Sequence, residues 1–136
     1  MITFNKVGVT LIDEQHQELI NRINQVTSMG IESVSKEQTE KTLDFLGDYI
    51  VKHFGDEEVL QKKSGYPQYE WHKEQHQIYI DNFKKLKAEF MANGASIKYT
   101  MDLNNSIIDW IVKHIKNVDT KLGLFLQEKG MANDKV

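Results

Sequence analysis

The sequence predicts an all-α protein, an up-down-up-down antiparallel four-helix bundle with an N-terminal arm and a short C-terminal helical segment. Apolar residues recur three and four positions apart in four long stretches, which is the spacing of one buried helix face. Turn-forming residues separate these stretches and predict short connections. The sequence shows neither the alternating pattern of a strand nor an internal repeat.

The first two helices are predicted from their apolar stripes and their ends. Residues 1–11 are expected to form an extended arm, and the first stripe begins at Ile12. Residues 29–30, a methionine and a glycine, are a typical helix stop. Ser35 is followed three residues later by glutamine, the spacing of a capping box, so the second helix should begin there. A serine and a glycine at residues 64–65 should end it.

The remaining helices follow the same logic. Pro67 suits the first turn of a third helix, and Gly94 is a good C-terminal stop. A fourth helix should begin near Ser96 and run to about Val118. Residues 119–128 are expected to form a short final segment that packs back on the bundle.

Composition limits the classes of function. The chain has 136 residues, 40% of them hydrophobic, so we expect one domain over residues 1–136. It contains no cysteine, which excludes thiolate metal sites and a cysteine nucleophile. The net charge of −3 and the scattered lysines argue against nucleic-acid binding. With no signal peptide or membrane-spanning stretch in the sequence and with charged outer faces, we expect a cytoplasmic monomer.

All five histidines fall on the apolar stripe of a predicted helix: His16, His53, His72, His76 and His114. A single core histidine is more often a hydrogen-bonded structural residue than a ligand. Five histidines directed at one core are harder to explain, because each buried polar group without a partner costs about 1–3 kcal/mol. A metal ion would give all five imidazoles a partner.

Two of the spacings place candidate ligands on one helix face. His53 and Glu57 are four residues apart, as are His72 and His76, and residues at that spacing share a face of a helix. The His72 and His76 spacing also occurs in zinc proteases. Their motif has a glutamate directly after the first histidine, and here that position is Lys73.

His114 and Asp119 present a geometric problem, because they are five residues apart. On an unbroken α-helix their side chains would point about 140° apart. Both can reach one site only if the helix ends or bends near residues 117–118. Asp119 could instead be the N-cap of the final segment.

The order of these residues resembles the ligand set of the hemerythrin family, whose members hold a non-haem di-iron centre in a four-helix bundle. The resemblance covers nearly the whole chain, and Phe4 stands roughly where many relatives have a tryptophan. The matching motifs are His16 with its leading segment 12–16, His53-Phe54-Gly55-Asp56-Glu57, His72-x-x-x-His76, the segment 110–115 and His114-x-x-x-x-Asp119.

The resemblance implies a cofactor of two iron ions with an oxo or hydroxo bridge. One iron would be bound by His72, His76 and His114, and the second by His16 and His53. Glu57 and Asp119 would bridge the two. The second iron would then have one protein ligand fewer, which leaves a position for dioxygen.

The resemblance also implies an apolar oxygen pocket that slows loss of bound oxygen. Its residues would be Leu19, Phe54, Ile111 and Ile115, which neighbour the candidate ligands in sequence. Without the resemblance, these residues would be interpreted as ordinary core.

The function implied is reversible dioxygen binding, for storage, transport or sensing, by a protein that is not an enzyme. Dioxygen would be its ligand, and nucleic acid and membranes would not be partners. The alternative is a di-iron redox enzyme that acts on peroxide or nitric oxide. A third interpretation is a helical bundle whose metal is zinc or is incidental.

Overall fold

The computed structural model describes residues 6–28, 36–94 and 101–136. Helix α1 spans Thr10–Ser28, α2 spans Lys36–Ser64 and α3 spans Tyr69–Asn93. A fourth helical rod consists of four consecutive segments: a π-helix π1 (Leu103–Ile108), α4 (Asp109–His114), a second π-helix π2 (Ile115–Asp119) and α5 (Thr120–Glu128). This confirms the predicted all-α four-helix bundle.

Several predicted boundaries agree with the structure, and others need correction. Helix α2 ends at Ser64 and α3 at Asn93, as predicted. Gly94 takes a positive φ of 76° and its N–H donates to the Phe90 carbonyl at 2.7 Å, a conformation that suits glycine. The predicted ends at residues 29–30, at Ser35 and near Ser96 lie outside the described residues.

The N-terminal arm and the start of the third helix differ from the prediction, whereas the final segment agrees with it. Helix α1 begins at Thr10, so the arm is shorter than expected. Pro67 precedes α3 rather than opening it, because it lies in a turn closed by a hydrogen bond from Tyr69 N–H to the Tyr66 carbonyl at 3.2 Å. The predicted final segment is α5, which continues directly from π2 and, as expected, packs Leu122 and Leu126 against the rest of the bundle.

The core has two parts. The larger part fills the space between all four helical rods and lies beside the histidines. Its most completely buried members are aliphatic and aromatic: Leu19, Ile23, Leu43, Leu46, Ile50, Phe54, Tyr79, Ile107, Ile111 and Ile115. Burying such side chains stabilises the fold by about 1.5–3 kcal/mol each relative to exposing them, so the bundle is a firm support for the polar cluster within it.

A second, smaller core joins the end of the arm to α5. Its buried side chains are Val7, Val9, Ile12, Leu60, Leu122 and Leu126. Asp13 accepts hydrogen bonds from the N–H groups of Val7 (2.7 Å) and Gly8 (3.2 Å). The Gln127 amide donates to the Val7 carbonyl at 2.9 Å. The arm next to α1 is therefore held to the C-terminal helix.

Gly123 is the position where this contact leaves no room for a side chain. A Cβ built there would lie 2.2 Å from the Val7 carbonyl oxygen, far inside van der Waals contact. We expect Gly123→Ala to displace residues 6–9 and to lower the free energy of unfolding by about 1–3 kcal/mol. Chemical denaturation would measure this loss. Gly55→Ala is the control, because a Cβ at that position would meet no atom within 4 Å, and an equal loss there would contradict the packing argument.

Candidate metal centre

The seven predicted ligands meet at one place in the bundle interior. They come from all four helical rods: His16 from α1, His53 and Glu57 from α2, His72 and His76 from α3, and His114 and Asp119 from α4 and π2. Each residue is at most 4% exposed. They form two groups whose potential ligand atoms lie within 4.8 Å of one another, and each group could hold a metal ion.

The first group contains three histidines and both carboxylates: His72, His76, His114, Glu57 and Asp119. The distance from His72 Nε2 is 3.0 Å to Glu57 Oε1 and 3.1 Å to Asp119 Oδ1. His76 Nε2 lies 3.2 Å from Glu57 Oε1, and His114 Nε2 lies 3.2 Å from Asp119 Oδ1. The Nε2 atoms of His72 and His114 are 3.0 Å apart. Five potential ligand atoms therefore surround one point.

The second group contains two histidines and the same two carboxylates. His16 Nε2 lies 3.0 Å from Asp119 Oδ2, and His53 Nε2 lies 3.4 Å from Glu57 Oε2. Each carboxylate thus turns one oxygen to each group. Glu57 and Asp119 are placed to bridge two ions, and the second group has one histidine fewer than the first.

The spacing of these atoms fits first-row metal ions. Octahedral coordination with metal–ligand bonds of roughly 2.1 Å puts neighbouring ligand atoms roughly 3.0 Å apart. The contacts of the first group, 3.0 to 3.2 Å, match that edge length. Among the described residues, both oxygens of Glu57 and of Asp119 and the Nε2 atoms of His53 and His76 are buried without a hydrogen-bond partner. Imidazole nitrogens and carboxylate oxygens are ligands of several first-row metals, iron among them, so the residues fit a metal ion of this kind.

The segment π2 explains how His114 and Asp119 face the same point. A π-helix is hydrogen-bonded between residues i and i+5, so residues five apart lie one above the other. His114 precedes π2, and Asp119 is its last residue. The helix does not end near residues 117–118, which was one of the two expected possibilities, because π2 continues into α5. The irregularity needed at that place is a local widening of the helix. Asp119 precedes α5 but makes no side-chain capping hydrogen bond to it.

Electrostatics in the cluster favour charged carboxylates. Burial and the nearby Asp119 raise the pKa of Glu57, but the imidazoles of His72, His76 and His53 outweigh them and hold that pKa below its usual value. Burial lowers the pKa of His53 to about 4, so its imidazole is neutral at physiological pH. Burial lowers the pKa of His72, but the adjacent Asp119 and Glu57 carboxylates raise it to about 10. Two buried negative charges are costly unless positive charge accompanies them; this imidazolium provides part of it in the metal-free protein, and bound cations would provide it in its place.

Three residues outside the predicted set hold the outer nitrogens of the imidazoles. Gln15 Oε1 lies 2.8 Å from His53 Nδ1, and Glu58 Oε2 lies 2.9 Å from His76 Nδ1. The Gln61 amide nitrogen lies 3.0 Å from His72 Nδ1. Oxygen acceptors such as those of Gln15 and Glu58 orient metal-binding imidazoles, whereas Gln61 presents an amide nitrogen to its imidazole. Their position in the sequence could have suggested them, because each lies within four residues of a candidate ligand.

Aromatic rings stack on two of the imidazoles. Phe54 stacks on His76 with ring centroids 3.8 Å apart and planes 2° apart. Trp110 stacks on His114 at 4.6 Å and 12°. The other predicted pocket residues are completely or almost completely buried in the larger core: Leu19, Ile111 and Ile115. The part of the surroundings that the larger core provides is therefore apolar.

The fold and the cluster together define a class of protein, four-helix bundles that bind cations through histidines and bridging carboxylates inside the bundle. The family model described as "Hemerythrin HHE cation binding domain" matches residues 7–124. The chain belongs to the hemerythrin family, as the resemblance predicted.

Similar proteins agree with this membership. A bacteriohemerythrin of Methylococcus capsulatus is 30% identical over 119 residues, which cover 85% of this chain and 86% of that protein. A myohemerythrin of Sipunculus nudus is 28% identical over 117 residues, covering 85% and 83%. A crystal structure of wild-type hemerythrin superimposes with a TM-score of 0.80 at 28% identity and covers 93% of this chain and 98% of the other.

In the ranges that the structure describes, every helix is too short or too polar to cross a bilayer.

Proposed function

We propose that this protein binds dioxygen reversibly at a non-haem di-iron centre. His72, His76 and His114 would hold one iron and His16 and His53 the other, and Glu57 and Asp119 would be shared by both. The observation that carries the proposal is the pair of unequal ligand groups that share two buried carboxylates. The names of the bacteriohemerythrin and myohemerythrin relatives support iron over other cations.

When bound, the two irons supply electrons that dioxygen takes up and returns. The residues of this chain decide whether that exchange can reverse. Five neutral imidazoles against two carboxylates favour the ferrous state, whereas bundles with four carboxylates and two histidines favour higher oxidation states. The smaller ligand group, around His16 and His53, leaves one position more for an outside molecule.

The apolar neighbours of the cluster keep water away from that position. We propose that Leu19, Phe54, Ile111 and Ile115 line the oxygen pocket. All four are at most 1% exposed. A dry surrounding slows protonation and escape of reduced oxygen, so oxygen leaves in the form in which it entered.

The direct test is a cycle of oxygenation. The iron-loaded protein is reduced under anaerobic conditions, oxygen is admitted, the visible spectrum is recorded, and oxygen is removed. We expect a coloured form that bleaches on removal and returns over repeated cycles. Irreversible oxidation in the first cycle would contradict the proposal. Metal analysis of protein purified from cells, with two irons expected, excludes a zinc protein.

Ile111→Ala tests the pocket. Ile111 is completely buried and lies three residues before His114, so its truncation opens space beside the centre and should speed autoxidation about tenfold or more. The rate of loss of the coloured form measures this. Ile23→Ala is the matched control, because Ile23 is equally buried in the same core but lies seven residues, or roughly 10 Å along α1, from His16. Equal autoxidation rates in the two variants would remove Ile111 from the pocket.

We also propose that binding, rather than turnover, is the activity. Two groups that could serve as acid or base near the centre already have partners: Glu58 contacts His76, and Asp56 contacts Gln15 and Lys52. Steady-state consumption of hydrogen peroxide or nitric oxide with an added reductant would instead establish the enzymatic alternative.

The expectations of a single domain over residues 1–136 and of a cytoplasmic monomer stay predictions. Sedimentation of the iron-loaded protein would test the oligomeric state, and cell fractionation would test the compartment.

A further inference from the structure

We infer that Asp56 is a positioning residue for the metal centre: through the side chain of Gln15, it sets which ring nitrogen of His53 carries the proton. Asp56 lies on α2, three residues after His53, and its side chain is 21% exposed. It makes no hydrogen bond to any of the seven candidate ligands in the described structure, so the hydrogen-bonded route from Asp56 to His53 runs through Gln15. The inference rests on the proposed function, because it concerns the readiness of His53 to bind iron.

The direction of each hydrogen bond follows from the chemistry of the groups. The Gln15 amide nitrogen donates to Asp56 Oδ2 at 2.7 Å. A carboxylate only accepts, so Asp56 requires the nitrogen end of the Gln15 amide to face it. The oxygen end of the same amide must then face His53 Nδ1, where it lies at 2.8 Å.

That orientation determines the tautomer of His53. An amide oxygen can only accept, so His53 Nδ1 must carry the hydrogen and donate it to Gln15. A neutral imidazole has one ring hydrogen, and Nε2 therefore keeps its lone pair. His53 Nε2 is buried, has no hydrogen-bond partner among the described residues and lies 3.4 Å from Glu57 Oε2. The metal-free protein therefore already has the His53 tautomer that can bind a cation through Nε2.

Lys52 anchors the outer end of this chain of contacts. Its ammonium donates to the same Asp56 oxygen at 2.7 Å, and its side chain is 60% exposed. An exposed ion pair of this kind contributes little on its own. Asp56 accepts from Gln15 whether or not Lys52 is present, so the inference assigns the effect to Asp56.

Asp56→Ala removes the group that orients Gln15. The Gln15 amide can then turn, its nitrogen can face His53 Nδ1, and the Nε2-protonated tautomer of His53 becomes available. We expect the second equivalent of Fe²⁺ to bind roughly 10–100-fold more weakly, the usual effect of losing an outer hydrogen bond of a ligand. The first equivalent should bind as in the wild type. Anaerobic competition with a chelator measures both steps.

A second substitution separates positioning from general support. In the double variant Asp56→Ala with Gln15→Glu, the new carboxylate at position 15 can only accept, so it restores the Nδ1 hydrogen of His53 without Asp56. We expect the second Fe²⁺ to regain its wild-type affinity. If Asp56→Ala weakens the second Fe²⁺ and the double variant does not recover, Asp56 is merely structural and the inference is overturned.

The tautomer itself gives a readout that needs no metal. Nitrogen-15 NMR of the metal-free wild-type protein should show His53 Nδ1 protonated and Nε2 unprotonated, and in Asp56→Ala both resonances should move toward the opposite tautomer. An Nε2-protonated His53 in the wild type overturns the inference even if Asp56→Ala does not fold.

Asp109→Ala is the matched control. It removes an aspartate that pairs with Lys113 four residues away at 2.9 Å, as Asp56 pairs with Lys52. Asp109→Ala should leave both iron affinities and the His53 resonances unchanged, and an equal loss in this variant would overturn the inference. If the wild type binds fewer than two irons, the proposed function fails, whereas the tautomer result still decides the role of Asp56.

Discussion

Replacing Glu57 with glutamine and Asp119 with asparagine in one variant is expected to remove both irons and all oxygen-dependent colour. Each of these carboxylates belongs to both ligand groups, so the double change affects both ions at once. Amides of the same shape provide a weaker neutral oxygen and remove two negative charges that would balance the cations. The loss in iron affinity should exceed the roughly 10–100-fold effect of losing an outer hydrogen bond. Metal analysis after equilibration with Fe²⁺ measures it.

The control for this variant is Glu74→Gln, a change of the same chemistry on the exposed face of α3, which should keep two irons per chain. His16→Ala adds a finer comparison. His16 belongs only to the second group, so its loss should remove one iron and leave the other. Two irons retained in the double carboxylate variant would mean that the shared carboxylates are not ligands.

The fold could be predicted from the sequence because the apolar stripes are long and regular. His16 and Leu19, three residues apart on α1, are both completely buried, so one periodicity predicted both the core and the cluster. Helix ends were less predictable. Pro67 is compatible with the first helical turn and with the turn before it, and only packing around Tyr66 and Tyr69 decides between them.

The position of the site was predictable, but its local geometry was not. His53 with Glu57 and His72 with His76 follow from ordinary α-helical spacing. His114 and Asp119 are five residues apart, which does not fit the α-helical spacing. The sequence contains no proline or glycine between them that would indicate an irregular helix. A π-helical segment depends on what the helix packs against, which single-sequence periodicity does not contain.

The outer hydrogen bonds were the least predictable part of the site. Gln15 precedes His16 on α1, but its side chain is hydrogen-bonded to His53 on α2. Glu58 follows Glu57 on α2, but its side chain is hydrogen-bonded to His76 on α3. These partnerships cross between helices, so they depend on how the helices are rotated against each other. A residue next to one ligand in the sequence can therefore be the hydrogen-bond partner of a different ligand.

Removal of iron is expected to destabilise the bundle strongly. Ligands come from all four helical rods, so each ion joins elements that are distant in sequence. An ion present at a thousandfold excess over its Kd contributes about 4 kcal/mol to folding, and two such ions about 8 kcal/mol. That is comparable with the whole free energy of unfolding of an ordinary domain, about 5–15 kcal/mol. Calorimetry after chelation should show a Tm lower by about 20 °C or more.

In the metal-free protein, buried polar atoms without partners also lower the free energy of unfolding. The four carboxylate oxygens of Glu57 and Asp119 have no hydrogen-bond partner among the described residues, and such groups are unfavourable in a core without compensation. Fe²⁺ added back should restore the Tm, whereas Mg²⁺ should not, because it prefers oxygen ligands and retains its water. The variant without Glu57 and Asp119 should show no difference between chelated and iron-treated samples. A wild-type Tm unaffected by chelation would mean that the cluster folds without cations, with protonated imidazoles such as that of His72 providing the positive charge that holds two carboxylates in the core.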